Sequence, residues 1–306
     1  MKLDTVAPAV TQRVLIYGAP KSGKTQLAGD MSRTHSLLWF DLENGYSTLM
    51  KLPVEQKQRI ELVKLPDTRS YPVAISTMMK VLKGGEHRIC DAHGAVACVR
   101  CTAAGAPAVV VNLGQLPADT IVVIDSLTQL TNSAIASITK AQPDDYKLDY
   151  DDWGNLGKLM DICLSHIQQA GYSVICISHE TEAEMEDGKK RIVPVAGTRN
   201  FSRNTAKYFD HVVYCELRNK KHVAASATDY STSVLTGSRL GAKLEGAEVA
   251  SLASIFAGAT PPSPVGAQAQ AAAAGGILSR MAVGVTKPRV TTGDITSTTH
   301  SLPHNY

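Results

Sequence analysis

The sequence predicts an α/β protein with a mainly parallel central sheet. Three observations lead to this class. An apolar strand, Arg13–Tyr17, runs directly into the glycine-rich segment Gly18–Thr25. Two later runs, Thr120–Asp125 and Tyr172–Ile177, are rich in β-branched residues, as strands buried on both faces are. A helical pattern of apolar residues, Trp153–Ala170, stands between these runs, and the order strand, helix, strand implies right-handed crossovers in a parallel sheet.

The glycine-rich segment has the spacing Gly-x4-Gly-Lys-Thr, which is typical of a phosphate-binding P-loop. Gly18 and Gly23 let backbone N–H groups turn inward, and a helix beginning near Lys24 points its positive dipole end at the phosphates. We expect Lys24 to reach the β- and γ-phosphates of ATP and the Thr25 hydroxyl to hold Mg²⁺. The alternative is a glycine turn with a surface lysine. The expected nucleotide contacts in the loop are Gly18, Ala19, Pro20, Lys21, Ser22, Gly23, Lys24 and Thr25.

Acidic residues follow two of the predicted strands. The run Ser36–Gly45 reads as a short buried strand that ends in Asp41 and Glu43. Ligands of open α/β sheets bind at the carboxyl ends of the strands, so we expect both carboxylates to face the nucleotide. Glu43 could orient the water that attacks the γ-phosphate, and the alternative is a solvated turn carboxylate. Asp125 ends its strand as a Mg²⁺-associated carboxylate does.

The remaining elements have weaker patterns. We expect a third strand at Ile60–Val63 and a helix over Tyr71–Lys83 that ends at Gly84. Tyr208–Leu217 and Ser233–Thr236 suit edge strands, and Val249–Phe256 suits a short helix. The connection from Glu180 to Asn204 is too polar for core and too long for an ordinary turn.

A cysteine-rich segment, residues 86–117, interrupts the pattern and is predicted to be an insertion. It carries Cys90-x2-His93 and Cys98-x2-Cys101, two spacings that each direct two ligands at one metal. We therefore predict a structural Zn²⁺ held by Cys90, His93, Cys98 and Cys101, with His87 as the alternative histidine and free surface thiols as the competing interpretation. Disulfides are not expected in a cytosolic chain with six cysteines.

Composition favours one large folded core. The chain has 306 residues, is 44% hydrophobic and 19% charged, and carries a net charge of +3, too small to indicate nucleic-acid binding by itself. No run approaches the roughly 18 to 20 apolar residues of a membrane span. The N-terminus lacks the apolar core of a signal peptide, so a cytoplasmic location is expected. We predict a core over residues 1–257, with a flexible lead-in at 1–12, and a disordered Ala/Gly/Pro/Ser/Thr tail at 258–306.

The order of these motifs resembles the RecA-like ATPases, most closely the phage-encoded recombinases of the Sak type, which join a RecA core to single-strand annealing. The resemblance covers Arg13 to Glu245. It implies that Glu43 is the catalytic carboxylate, that Ile121–Asp125 is the Walker B strand, and that His179, at the end of the next strand, senses the γ-phosphate. A phage-encoded protein would act in the host cytoplasm.

The resemblance also implies binding of single-stranded DNA and assembly into a homo-oligomer. The two DNA-facing loops of the family fall on Thr139–Asp152 and Glu180–Asn204, and the first is acidic in this chain. The family completes its site with basic residues of a neighbouring subunit, which fall on Arg239 and Lys243. A single-strand-binding protein is a candidate partner. In the second loop the expected DNA contacts are Lys189, Lys190, Arg191, Arg199 and Arg203, with Phe201 placed to stack on a base.

Other functions fit the same motifs. A RecA-fold helicase motor would share the P-loop and Walker B strand, and a nucleotide-dependent switch or loader would bind a replication protein through its tail. A P-loop kinase fits less well, because Asp125 ends a RecA-type Walker B strand and no arginine-rich lid is evident. The cysteine insertion and the lack of a sizeable N-terminal oligomerisation domain depart from bacterial RecA.

Overall fold

The computed structural model describes residues 11–185, 188–225, 233–239 and 251–256. The expected tail at 258–306 and most of the expected lead-in lie outside these residues. The strands, in chain order, are β1 (Arg13–Gly18), β2 (Ser36–Asp41), β3 (Ile60–Lys64), β4 (Glu86–Cys90), β5 (Ala108–Asn112), β6 (Thr120–Asp125), β7 (Ser173–Glu184), β8 (Lys190–Pro194), β9 (His211–Arg218), β10 (Lys221–Ala225) and β11 (Gly237–Ser238).

Most of the α-helices stand between successive strands in the chain. In order they are α1 (Lys24–Gly29), α2 (Val54–Lys57), α3 (Val73–Leu82), α4 (Val99–Ala103), α5 (Leu127–Ile138), α6 (Tyr150–Gln168), α7 (Arg199–Asn204) and α8 (Ala253–Phe256). The helix predicted from the apolar spacing of residues 153–170 is therefore present as α6. It begins earlier, because Asp149 and Asp152 form a capping box around its first turn.

The central sheet has the order β10-β9-β1-β7-β6-β2-β3. Every pairing from β9 through β3 along this order is parallel, whereas β8, β10 and β11 pair antiparallel with their neighbours. The predicted α/β class with a mainly parallel sheet is thus confirmed. Strand β7 lies between β1 and β6, so the chain visits the far side of the sheet before it returns to the middle.

Both faces of the sheet are covered, which explains the nearly continuous apolar strands. Trp39 and Phe40 are successive residues of β2, are both fully buried, and belong to the two opposite hydrophobic clusters. The cluster with Phe40 includes residues of α3, α5 and α6. The cluster with Trp39 includes residues of α1 and, from the end of the described chain, Ile255 and Phe256 of α8. Among the described residues, none of the helices has the length and apolar character that crossing a membrane requires.

The predicted connection from Glu180 to Asn204 is mostly regular structure, which corrects the expectation. Strand β7 continues to Glu184 and pairs with β8 as an antiparallel hairpin, and α7 follows. Few positions of this hairpin are buried, among them Ala183 on β7 and Val193 and Pro194 on β8. Such a short, mostly polar hairpin gives little apolar signal, and the sequence pattern therefore reads as a loop.

The cysteine-rich segment forms a small substructure. Strands β4 and β5 pair antiparallel in a two-stranded sheet that is separate from the central one. The four predicted zinc ligands lie at the end of β4, in the turn after it and around α4, so the expected Cys/His insertion is present.

Candidate functional site

The carboxyl ends of the central strands meet at one cleft of about 420 Å³. In the parallel register Gly18 of β1 lies beside His179 of β7, and Asp125 of β6 lies beside Asp41 of β2. Because these strands are parallel, their carboxyl ends lie at the same end of the sheet. The P-loop, Glu43 after β2 and Asp125 of β6 therefore border the same space. The cleft is lined by Pro20, Lys21, Gly23, Lys24, Thr25, Gln26, Glu43, Thr48, Lys51, Asp125, Ile177, His179 and His222. We call it the P-loop cleft.

The P-loop has the backbone that its glycines predict. Gly18 and Gly23 have φ values of 153° and 96°, which favour glycine. A Cβ atom on Gly18 would lie 2.0 Å from the Cys215 carbonyl oxygen, so no other residue fits there. The Lys24 ammonium donates hydrogen bonds to the carbonyl oxygens of Gly18, at 2.8 Å, and Ala19, at 2.7 Å. Burial lowers the pKa of Lys24, and nearby acidic groups partly offset this effect.

Thr25 and Asp125 meet at the floor of the cleft. The Thr25 hydroxyl donates a hydrogen bond to Asp125 Oδ2 at 3.1 Å. Burial, reinforced by the charges of Glu43 and Asp41, raises the pKa of Asp125 to about 7. A buried carboxylate among other carboxylates is stabilised by a cation, and a hydroxyl with a carboxylate is the hard oxygen pair that Mg²⁺ takes. The donor set therefore fits Mg²⁺, which would neutralise phosphate charge when bound.

Glu43 reaches the cleft between two polar partners. Its Oε2 lies 3.4 Å from His179 Nε2, and its Oε1 accepts a hydrogen bond from the Ser126 hydroxyl. Burial opposes ionisation of Glu43, but the hydrogen bonds from His179 and Ser126 outweigh it, so its pKa lies below the ordinary value. The carboxylate is therefore charged at neutral pH. The backbone of His179 is itself anchored, because its main-chain N–H donates to the Thr128 hydroxyl at 2.8 Å.

Asp41 has a different role from the one its position at a strand end suggests. Its side chain is buried, and it accepts hydrogen bonds from the backbone N–H groups of Glu43 (3.2 Å), Gly45 (2.9 Å) and Tyr46 (3.2 Å). These contacts hold the loop after β2, in which Asn44 has the left-handed backbone φ of 57°. Asp41 thus fixes the position of Glu43 and does not line the cleft.

The four predicted zinc ligands come together. One donor atom from each of Cys90, His93, Cys98 and Cys101 lies within 4.8 Å of all the others. His93 Nδ1 is 3.1 Å from Cys101 Sγ, 3.6 Å from Cys98 Sγ and 3.9 Å from Cys90 Sγ. Ordinary zinc bond lengths place tetrahedral donors roughly 3.5 to 3.8 Å apart, so the set fits Zn²⁺.

The thiols of this cluster already differ in acidity. A hydrogen bond from the Cys101 backbone lowers the pKa of Cys98 to about 7, and burial raises that of Cys101 to about 11. The alternative ligand His87 instead places its Nε2 3.0 Å from the Gly84 carbonyl oxygen. We call residues 90–101 the Cys/His knuckle.

The basic residues predicted to contact DNA lie on and beside the β7–β8 hairpin. Lys190 pairs with Glu182 at 2.9 Å, and Arg203 donates to the Glu184 carbonyl oxygen at 2.8 Å. Arg199 and Arg203 line an open hollow of about 350 Å³ beside the hairpin.

The aromatic residue predicted among these contacts has another environment. The ring of Phe201 stacks on Tyr208, with 5.9 Å between centroids, and packs against the core. The half-buried ring of Phe201 is thus partly engaged within the fold, and its stacking on a base stays a prediction.

Arg239 lies near the amino-terminal ends of the central strands, whereas the P-loop cleft lies at their carboxyl ends. It follows β11, which pairs with the amino-terminal residues of β9. Its guanidinium is 3.4 Å from Asp210, which also pairs with Arg13 at 3.1 Å. In one chain Arg239 is thus part of an ion-pair network, and its role in a neighbour's site stays a prediction. Lys243 lies outside the described residues.

His222 is a cleft residue that the sequence patterns did not indicate. It stands on β10, and its Nδ1 lies 3.0 Å from the Ser22 carbonyl oxygen of the P-loop. The β9–β10 hairpin turns at Asn219 and Lys220, which both have positive φ, the geometry of a two-residue turn. The signal that could have found it is Asn219 at a two-residue turn between strand-like runs. Thr48 and Lys51, which also line the cleft, were not predicted either.

Three comparisons relate the chain to known proteins. No curated protein matches the chain in sequence. A solved structure described as that of the RadB recombinase is similar at 16% identity, covering 73% of this chain and 84% of that chain, with a TM-score of 0.37. The AAA_24 family model, described as an AAA domain, matches residues 11–240, which include the P-loop, Asp125 and His179. Since this match spans well over half of the sequence, the chain belongs to the AAA_24 family of AAA domains.

Proposed function

We propose that this protein is a Mg²⁺-dependent ATPase that binds single-stranded DNA and supports annealing in phage-type recombination. AAA domains are typically ATPases. In this chain Lys24 would hold the β- and γ-phosphates, and Thr25 and Asp125 would hold Mg²⁺. The resemblance to Sak-type recombinases supplies the DNA substrate.

The proposed catalytic carboxylate is Glu43. Its lowered pKa keeps it ionised, so it can orient the attacking water and accept a proton from it. His179 Nε2 lies 3.4 Å from Glu43 Oε2, and binding of a γ-phosphate in the cleft would change this contact. Nucleotide bound in the cleft would then alter the position of His179.

The observation that carries the DNA proposal is the continuity of β7. This one strand runs from the sheet centre, through His179, to Glu184 in the hairpin. A displacement of His179 would be transmitted along the strand to a surface with Lys189, Lys190, Arg191, Arg199 and Arg203 beside it. We place the phosphate contacts chiefly at Arg199 and Arg203, since Lys190 is paired with Glu182.

The proposal extends to assembly and location. A homo-oligomer would let Arg239, and Lys243 outside the described residues, approach the cleft of a neighbouring subunit. A single-strand-binding protein is the proposed partner, and the cytoplasm, of the host for a phage-encoded chain, is the proposed location. A structural Zn²⁺ would be held by Cys90, His93, Cys98 and Cys101, and would stabilise a segment too small for a core of its own.

The test is ATP turnover by the purified chain with and without single-stranded DNA. We expect Mg²⁺-dependent turnover that single strands stimulate. Slow ATP turnover that single-stranded DNA does not change would favour a nucleotide-dependent switch or loader and contradict the proposal. Unwinding of a forked duplex in the same preparation would favour a helicase motor.

A further inference from the structure

The Cys/His knuckle is seated directly on the central fold. Thr77, a buried residue of α3, donates a hydrogen bond from its hydroxyl to the Gly94 carbonyl oxygen at 2.7 Å. Gly94 has a φ of 61°, and a Cβ atom there would lie 2.9 Å from Leu65 Cα, from the Lys64 carbonyl oxygen and from Pro66 Cδ. The turn after His93 is therefore held between α3 and the segment that follows β3.

The segment under the knuckle is bonded to the loop that carries Glu43. The Leu65 N–H donates to the Asp41 carbonyl oxygen at 2.9 Å. The Asp41 carboxylate in turn accepts the N–H groups of Glu43, Gly45 and Tyr46. Only one residue, Asp41, thus stands between the seat of the knuckle and the backbone of Glu43.

A second route leaves the same segment through Asp67. Its carboxylate accepts hydrogen bonds from Ser133 Oγ at 2.9 Å and from Gln129 Nε2 at 3.3 Å, both on α5. The Gln129 N–H donates to Ser126 Oγ at 3.2 Å, and Ser126 donates to the Glu43 carboxylate. Hydrogen bonds therefore connect both the backbone and the side chain of Glu43 to the segment after β3, against which the knuckle packs.

We propose that Thr77 is a positioning residue that, by holding the Gly94 carbonyl, keeps the knuckle seated on Leu65 and thereby places Glu43 for hydrolysis. The P-loop belongs to different elements, β1 and α1. Loosening of the seat should therefore slow the chemical step and leave nucleotide binding unchanged. The inference rests on the ATPase and zinc sites proposed above.

The test compares Thr77→Val, which keeps the shape and removes the hydroxyl, with Thr77→Ser, which keeps the hydroxyl. We expect Thr77→Val to retain its zinc and to bind an ATP analogue within about twofold of wild type, while kcat falls about tenfold or more, since misplacing a catalytic group by about 1 Å can cost on the order of 100-fold. Thr77→Ser should recover most of kcat. An unchanged kcat in Thr77→Val, or an equal loss of kcat and affinity in both variants, would overturn the proposal.

A second measurement works on the wild-type chain and does not depend on turnover. Hydrogen exchange is followed at Leu42–Tyr46 and at the P-loop before and after zinc is removed with a chelator. We expect zinc removal to speed exchange at Leu42–Tyr46 and not at the P-loop. Exchange at Leu42–Tyr46 that is the same before and after zinc removal would contradict the coupling. A purified chain without zinc would refute the zinc site and, with it, the role of the metal in the seat. Absence of ATPase activity would refute the proposed function while the exchange measurement still judged the coupling.

Discussion

At the residue scale, we expect Lys24 and Glu43 to make separable contributions to the P-loop cleft. Lys24 would meet phosphate in both the ground and transition states, whereas Glu43 matters when water attacks. The hydrogen bond from Lys24 to the Gly18 carbonyl oxygen of the P-loop and the contact of Glu43 with His179 are consistent with this division.

We therefore predict different kinetic losses for the two positions. Lys24→Ala should weaken ATP binding about 10- to 100-fold, since a hydrogen bond to a charged group contributes roughly 1.5 to 3 kcal/mol, and should abolish turnover. Glu43→Gln should bind ATP within about twofold of wild type and lose on the order of 100-fold or more in turnover. Analogue binding and steady-state turnover measure both effects.

The matched control is Glu61→Gln, an exposed carboxylate on β3, which should change neither quantity. Wild-type turnover in Glu43→Gln would mean that another group activates the water.

The sequence identified the P-loop residues because their chemistry is local: spacing, glycines and lysine occur within eight positions. It could not separate Asp41 from Glu43. Both are acids at the end of one strand, and which carboxylate turns back to the backbone depends on the left-handed turn at Asn44. His222 was missed because a hairpin far along the chain brings it to Ser22.

At the element scale, we expect the fold of the Cys/His knuckle to depend on a bound zinc ion. Ile89 of β4 and Val111 of β5 are buried in the cluster with Phe40, whereas residues 90–101 have few large apolar side chains to bury. The grouping of Cys90, His93, Cys98 and Cys101 was predictable because two x2 spacings are a strong local pattern. The seat of the knuckle on Leu65 was not, because no pattern in the sequence relates Gly94 to the end of β3.

We predict about one zinc ion per chain in reduced, purified protein. The double substitution Cys98→Ser/Cys101→Ser should lose the metal and expose residues 86–117 to proteolysis, because two of four ligands are removed. Metal analysis and limited proteolysis provide the measurements.

Cys163→Ala, which removes a buried thiol outside the cluster, should keep the zinc. Reduced wild-type protein without stoichiometric zinc would show that the cluster consists of free thiols.

The β7–β8 hairpin shows where element prediction fails. Central strands are recognisable in the sequence by unbroken runs of apolar residues, as in β6, which is buried throughout. The outer part of β7 alternates Glu182, Ala183 and Glu184, which pairs well as a strand but carries too little apolar signal to be recognised.

At the scale of the whole molecule, strand order decides what the site can do. Placement of β7 between β1 and β6 brings His179 beside Gly18 and near Asp125. The class of the sheet followed from its apolar runs, but the order of its strands depends on long-range pairings that sequence periodicity does not encode. The AAA-domain match supports the P-loop ATPase class, and the narrower resemblance to Sak-type recombinases stays a prediction.

The proposed function implies that nucleotide in the P-loop cleft controls DNA affinity at the hairpin through β7. The most direct measurement is single-strand affinity of Glu43→Gln protein, which should hold ATP without turnover, across a salt series with and without ATP. We predict that ATP changes the affinity about 5- to 150-fold, as a coupling of about 1 to 3 kcal/mol would. Adding Arg199→Ala/Arg203→Ala should lower the log–log salt slope by roughly 1.4, and adding Arg33→Ala, an exposed arginine elsewhere, should not. Equal affinity with and without ATP would contradict the account.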